Sequence, residues 1–141
     1  MTLDTVTTKW KTDMLLVSDN PSGQNVFIDA SPESGGHNEG LRPKALMLSS
    51  LAGCSGLDVA SLLKKMKVEF DTFEIIVEAE LTEEHPKYYH KVHVNYHFYG
   101  NNLAEGKINK AVKLSVDKYC GVMEMFRQFA TVTTQNHFHN Q

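Results

Sequence analysis

The sequence predicts an α+β fold, with elements in the order β-β-β-α-β-β-α-β in a single domain over residues 1–141. Three observations carry this. Residues 70–81 and 88–99 alternate apolar and polar side chains with the period of two that marks a half-exposed strand. Residues 43–66 and 103–119 repeat apolar side chains at helical spacing. The first 30 residues hold short β-branched and aromatic runs punctuated by Pro, Gly and Asn. A chain of 141 residues is long enough to bury one proper core, and no repeat, low-complexity tract or linker divides it.

Taken in order, residues 4–10 and 14–17 read as two short strands joined by Lys11-Thr12-Asp13, the first with Val6, Thr8 and Trp10 on one face. Asn20-Pro21-Ser22-Gly23 is a turn, and residues 25–29 are a third strand. Ser31 to Gly40 is a Gly/Ser/Pro loop. Pro43 suits the first turn of a helix. Leu48, Leu51, Ala52, Ser55, Val59, Leu62, Leu63 and Met66 share its helical spacing, and Lys64, Lys65 and Lys67 suit its C-terminal dipole. Gly53 and Gly56 flank Cys54-Ser55 inside this helix, each costing about 1 kcal/mol relative to Ala. Close helix packing and access to the thiol are the two reasons to tolerate them.

In the strand over 70–81, Phe73, Ile75, Val77, Ala79 and Leu81 face one way and Glu74, Glu78 and Glu80 the other. In the strand over 88–99, Val92, Val94, Tyr96 and Phe98 oppose His93, Asn95 and His97. The second helix, 103–119, gathers Ile108, Ala111, Val112, Ser115 and Tyr119 on one side. Residues 121–126 form a short helix beginning at Cys120, and 129–138 a final strand.

Composition narrows the function classes. The formal net charge is −3, from 14 basic and 17 acidic side chains, and no basic stripe stands out, so nucleic acid is not an expected partner. No apolar run approaches the roughly 18–20 residues of a membrane span. The first residues lack the charged and apolar regions of a signal peptide. A cytoplasmic protein with reduced thiols, off the membrane, is expected. Seven histidines invite a metal reading. His93 and His97 share a strand face but lie about 13–14 Å apart along it. His137 and His139 are about 7 Å apart near a chain end. No metal or other cofactor is expected.

The chain has two cysteines, each in an apolar, helix-compatible stretch. Two thiols that meet can cycle between dithiol and disulfide and so reduce an oxidant. Two unrelated core cysteines is the alternative. Cys120 opens a short helix, where backbone N–H groups lower a thiol pKa, and on local physics it is the more acidic thiol. Cys54 sits among apolar residues, where burial raises the pKa unless a cation is near. His37 lies in the glycine loop that runs into the Cys54 helix. It is either a hydrogen-bond donor near the thiol or a solvated loop residue.

Three features in order resemble the OsmC/Ohr family of osmotically inducible and organic hydroperoxide resistance proteins. They are a Pro-led long helix with small residues before a mid-helix cysteine (Pro43 to Cys54), a His-Pro turn before the second long strand (His85-Pro86), and a helix leading into Cys-Gly-Val (Ser115 to Val122). The resemblance covers nearly the whole chain. It implies an OsmC-like fold of two long helices packed on curved antiparallel sheets, in an intertwined homodimer with active sites at its interface. It also implies that Cys54 is the peroxidatic and Cys120 the resolving cysteine of a thiol peroxidase in oxidative-stress defence. In that mechanism Cys54 becomes a sulfenic acid on reaction with an organic hydroperoxide. Cys120 condenses with it, and an external dithiol reduces the disulfide.

The family's activating Arg–Glu pair has no counterpart at its usual places. Lys44 stands ten residues before Cys54 and Ala45 nine before it, and Arg42 and Arg127 are the only arginines. Arg42 or Lys44 is the candidate cation and Glu39 its candidate carboxylate partner; solvated residues at a helix start is the other reading. That departure keeps a second function open, a redox-sensing or small-ligand-binding dimer with little turnover. A helix over 43–66 that is apolar over most of its surface needs cover on several sides, which agrees with an obligate dimer.

Overall fold

A computed structural model describes residues 2–141, which form two compact units, one up to Met47 and one from Leu48 to Gln141. In the first, β1 (Thr8–Thr12), β2 (Leu15–Ser18) and β3 (Val26–Ile28) pair antiparallel in that order. The first strand lies later than its sequence pattern suggests and takes in Lys11-Thr12. The reversal falls on Asp13 in a left-handed conformation (φ 50°), so the strand runs to the turn instead of stopping at Trp10. After β3 the chain makes a short 3₁₀ turn, Pro32–Ser34, and reaches a tight loop. Gly36 is required there, because a Cβ would lie 2.0 Å from the Ala30 carbonyl oxygen.

The long helix α1 (Pro43–Lys65) begins where Pro43 predicts, in the first unit, and continues into the second. By length and composition alone it is apolar enough to cross a membrane. This corrects the expectation that no apolar stretch reaches span length; serines and glycines interrupt the apolar side chains of this helix and lower its apparent apolarity in the sequence. The structure uses it as a core helix: Leu51, Ser55, Val59 and Leu63, spaced by four, are buried along one stripe. Each apolar member contributes roughly 1.5–3 kcal/mol of burial.

The second unit continues with β4 (Thr72–Leu81) and β5 (Tyr89–Gly100), α2 (Glu105–Leu114), a π-helical turn (Ser115–Tyr119), α3 (Gly121–Arg127) and β6 (Thr131–Asn140). The expected second helix is therefore not one long α-helix; its last turn widens to π geometry, which turns Tyr119 outward to 52% exposure. The sheet order is β4-β5-β6. β4 pairs antiparallel to β5, whereas β6 runs parallel to β5, so the all-antiparallel expectation is corrected at this strand. Residues 101–130 supply the helical crossover that a parallel pairing needs.

The inward face of β5 is the one its alternation predicts: Val92, Val94, Tyr96 and Phe98 are buried. They join Leu51, Val59 and Leu63 of α1, Ile108, Ala111 and Val112 of α2, and Met123 and Phe126 of α3 in one core. Phe73, Ile75, Val77 and Ala79 of β4 pack against it, and Leu81 ends exposed.

A candidate thiol site between α1 and the π-helical turn

The core brings the two cysteine-bearing elements together. Cys54 is half-buried on α1 and Cys120 is buried between the π-helical turn and α3. Cys54 packs against the buried cluster that contains Cys120, and the Cys54 thiol is close enough to help raise the Cys120 pKa. The π turn does the positioning. Its widened ring closes when the Cys120 amide donates to the Ser115 carbonyl at 2.8 Å. Cys120 then leaves helical geometry (φ −77°, ψ 102°) and caps α3, its Sγ accepting the Met123 amide at 3.3 Å.

Beside the thiols lies a run of buried hydroxyls. Tyr96 Oη and Ser55 Oγ are 2.6 Å apart, Ser55 Oγ and Ser115 Oγ 2.8 Å, and Ser115 Oγ donates to Asp58 Oδ2 at 3.0 Å. A carboxylate only accepts, so Asp58 fixes the direction: Tyr96 donates to Ser55, Ser55 to Ser115, and Ser115 to Asp58. Tyr96, Ser55 and Ser115 have no solvent exposure. In such a core an unpaired hydroxyl costs about 1–3 kcal/mol, and the run leaves none.

The electrostatics differ from the sequence expectation. Burial pushes the Cys120 thiol up to about 11; the Met123 amide opposes this, and Cys54 and Asp58 add to it. Desolvation outweighs one backbone donor, so the helix start does not make Cys120 an acidic thiol. Burial likewise raises the Tyr96 phenol to about 12, against the Ser55 hydrogen bond and with help from Cys120 and Asp58. At neutral pH both groups keep their protons.

Next to this network a cleft of about 330 Å³ is lined by Asp58, Ser61, Leu62, Lys65 and Tyr119. A Cβ on Gly56 would sit 3.4 Å from Ile75 Cδ1, whereas one on Gly53 would meet nothing within 4 Å. A 3.4 Å approach to a side-chain methyl is ordinary van der Waals contact, so packing within the chain requires neither glycine.

The candidate supporting residues belong to the first unit, and three of them are engaged there around Asp29. Its buried carboxylate accepts the amides of Ala30, His37 and Glu39 at 2.7, 3.1 and 3.0 Å. Arg42 donates to the Asp29 carbonyl at 3.3 Å and to Asn38 Oδ1 at 2.9 Å. The His37 imidazole faces Asp13 at 3.3 Å. Lys44 is exposed in the first turn of α1. Arg127 pairs with Glu124 at 3.1 Å and donates to the Val116 carbonyl, clamping α3 to the π turn.

The histidines cluster in a way that spacing along one strand does not reveal. Parallel pairing sets His137 opposite His97, with the rings stacked 4.3 Å apart, and brings His139 Nε2 within 2.9 Å of His97 Nδ1. Among the described residues no group of three or more His, Cys, Asp or Glu converges to hold a metal ion.

Comparison with known proteins gives the family and the fold. Residues 36–135 match the family model described as OsmC-like protein. Protein YhfA of Escherichia coli strain K12 is 30% identical over 127 residues, covering 89% of this chain and 90% of that protein. The crystal structure of a hypothetical protein from Aquifex aeolicus VF5 superposes with a TM-score of 0.80 at 27% identity, covering 98% of both chains. The organic hydroperoxide resistance protein OhrB of Bacillus subtilis shares the fold, with a TM-score of 0.65 at 17% identity, covering 96% of this chain and 98% of that one.

Proposed function

We propose that this chain, which belongs to the OsmC-like protein family, is a thiol-dependent peroxidase that reduces organic hydroperoxides. The single observation that carries the reading is that Cys54 and Cys120, 66 positions apart in sequence, are neighbours in one core. In the first step the Cys54 thiolate attacks the distal peroxide oxygen. The S–O bond forms as the O–O bond breaks, and the leaving alkoxide takes a proton to become the alcohol. Cys120 then attacks the sulfenic sulfur; the disulfide forms and the oxygen leaves as water. An external dithiol, itself oxidised, restores both thiols. Such a cycle suits a reducing compartment, and we place the protein in the cytoplasm.

The activating cation in this reading is Arg42 or Lys44, with Glu39 and His37 as supporting groups. The protein works as a homodimer. That assembly is supported by the face of α1 that its own chain leaves open, where Leu57 is 76% exposed, and by Trp10 and Phe27, exposed on the first sheet. The specific observation favouring the sensing or binding alternative is that the candidate cation Arg42 is already engaged, donating to the Asp29 carbonyl and to Asn38 Oδ1.

Consumption of cumene hydroperoxide under dithiothreitol tests the proposal. Wild-type protein is expected to turn over and Cys54→Ser to be inactive. Cys120→Ser is expected to stop after one equivalent, with a dimedone-reactive sulfenic acid on Cys54. At least one of Arg42→Ala and Lys44→Ala is expected to slow the reaction by about tenfold, the equivalent of about 1.4 kcal/mol. Wild-type protein that consumes no hydroperoxide sinks the peroxidase reading and leaves the sensing dimer.

A further inference from the structure

The hydroxyl run has no part in the chemistry written above, yet it joins the two elements that carry the thiols. Ser55 follows Cys54 in α1, and Ser115 holds the Cys120 amide through its carbonyl while meeting Ser55 through its hydroxyl. Asp58 lies one turn beyond Cys54, lines the surface cleft, and receives the last hydrogen bond of the run.

We propose that Tyr96, Ser55, Ser115 and Asp58 form a positioning latch that sets Cys120 against Cys54. The proposal rests on the thiol pair of the preceding section but not on any reaction with peroxide. Ser115 is the mechanical link, since it bonds to both cysteine-bearing elements. Asp58 accepts the last hydrogen bond of the run and touches no reacting atom, so it is a positioning residue.

Closure can be read without a hydroperoxide. Ellman's reagent (5,5′-dithiobis-2-nitrobenzoate) converts Cys54 to a mixed disulfide. The Cys120 thiolate then attacks the Cys54 sulfur, the protein disulfide forms, and the thionitrobenzoate anion leaves with its absorbance. The rate of this second release is measured against pH. Ser115→Ala and Asp58→Ala, which each break the run, are expected to slow release severalfold at every pH, whereas Asp58→Asn, which keeps the acceptor oxygen, is expected to hold the wild-type rate. A Ser115→Ala or Asp58→Ala rate equal to wild type, or an Asp58→Asn rate as slow as Asp58→Ala, overturns the proposal. Failure of the peroxidase reading would show instead as normal closure in this assay with no consumption of hydroperoxide.

Discussion

Ser55 and Ser115 meet hydroxyl to hydroxyl at 2.8 Å, fully buried, one the chain neighbour of Cys54 and the other the acceptor of the Cys120 amide. Two serines in an apolar core cost stability unless each finds a partner, and here each partner ties one thiol's element to the other's.

That pairing predicts a non-additive stability pattern. Ser55→Ala strands the Tyr96 hydroxyl in the core and should cost about 1–3 kcal/mol. The double variant Ser55→Ala/Tyr96→Phe removes both ends of that bond and should recover part of the loss. Urea unfolding of the single and double variants measures it; a double variant whose loss equals the sum of the singles would contradict the coupling.

The open face of α1 predicts the assembly. Leu57 points away from its own core, and a Cβ on Gly53 would meet nothing in its own chain, so a partner copy is the expected cover. Leu57→Lys should lower the sedimenting species from dimer to monomer at micromolar concentration. A wild-type protein that sediments as a monomer under the same conditions would rule the dimer out.

Asp29 predicts an acid-sensitive first unit. Backbone hydrogen bonds, foremost from the Glu39 amide and then from those of His37 and Ala30, hold its carboxyl below the usual range against the opposing effect of burial. A depressed carboxylate pKa contributes stability above its unfolded value of about 3.9, lost as pH falls through the folded value. The lone tryptophan, Trp10, lies in this unit and bonds to the Asp13 carbonyl at 2.7 Å, so its fluorescence reports the transition. Acid unfolding below about pH 4 should become much shallower in Asp29→Asn, which starts destabilised at neutral pH. Identical acid titrations for the two proteins would contradict this role.

Much of the fold was legible in the residues. The alternation of Val92, Val94, Tyr96 and Phe98 named the buried face of β5, and the eight residues at helical spacing over 43–66 include the four, Leu51, Ser55, Val59 and Leu63, that form the buried stripe of α1, whereas Leu48, Ala52, Leu62 and Met66 are only half-buried. The direction of β6 was not legible, because its pairing with β5 depends on how the helical crossover returns the chain, and period-two patterns carry no direction. The histidine cluster was missed for the same reason: His97 meets His137 and His139 across strands. The acidity of Cys120 was misjudged because a local donor is visible in sequence and burial is not. A signal for the hydroxyl network was present. Ser55, Ser115 and Tyr96 all fall on inward faces, and polar groups placed inward must find one another.

The most direct test of the Cys54–Cys120 pair is peptide mass mapping after one equivalent of cumene hydroperoxide, with no reductant present. The predicted result is an intrachain disulfide joining the Cys54 and Cys120 peptides, with the intact chain lighter by two hydrogens. Two free cysteines, or two cysteines oxidised independently to sulfinic acid, would contradict a peroxidase built on this pair.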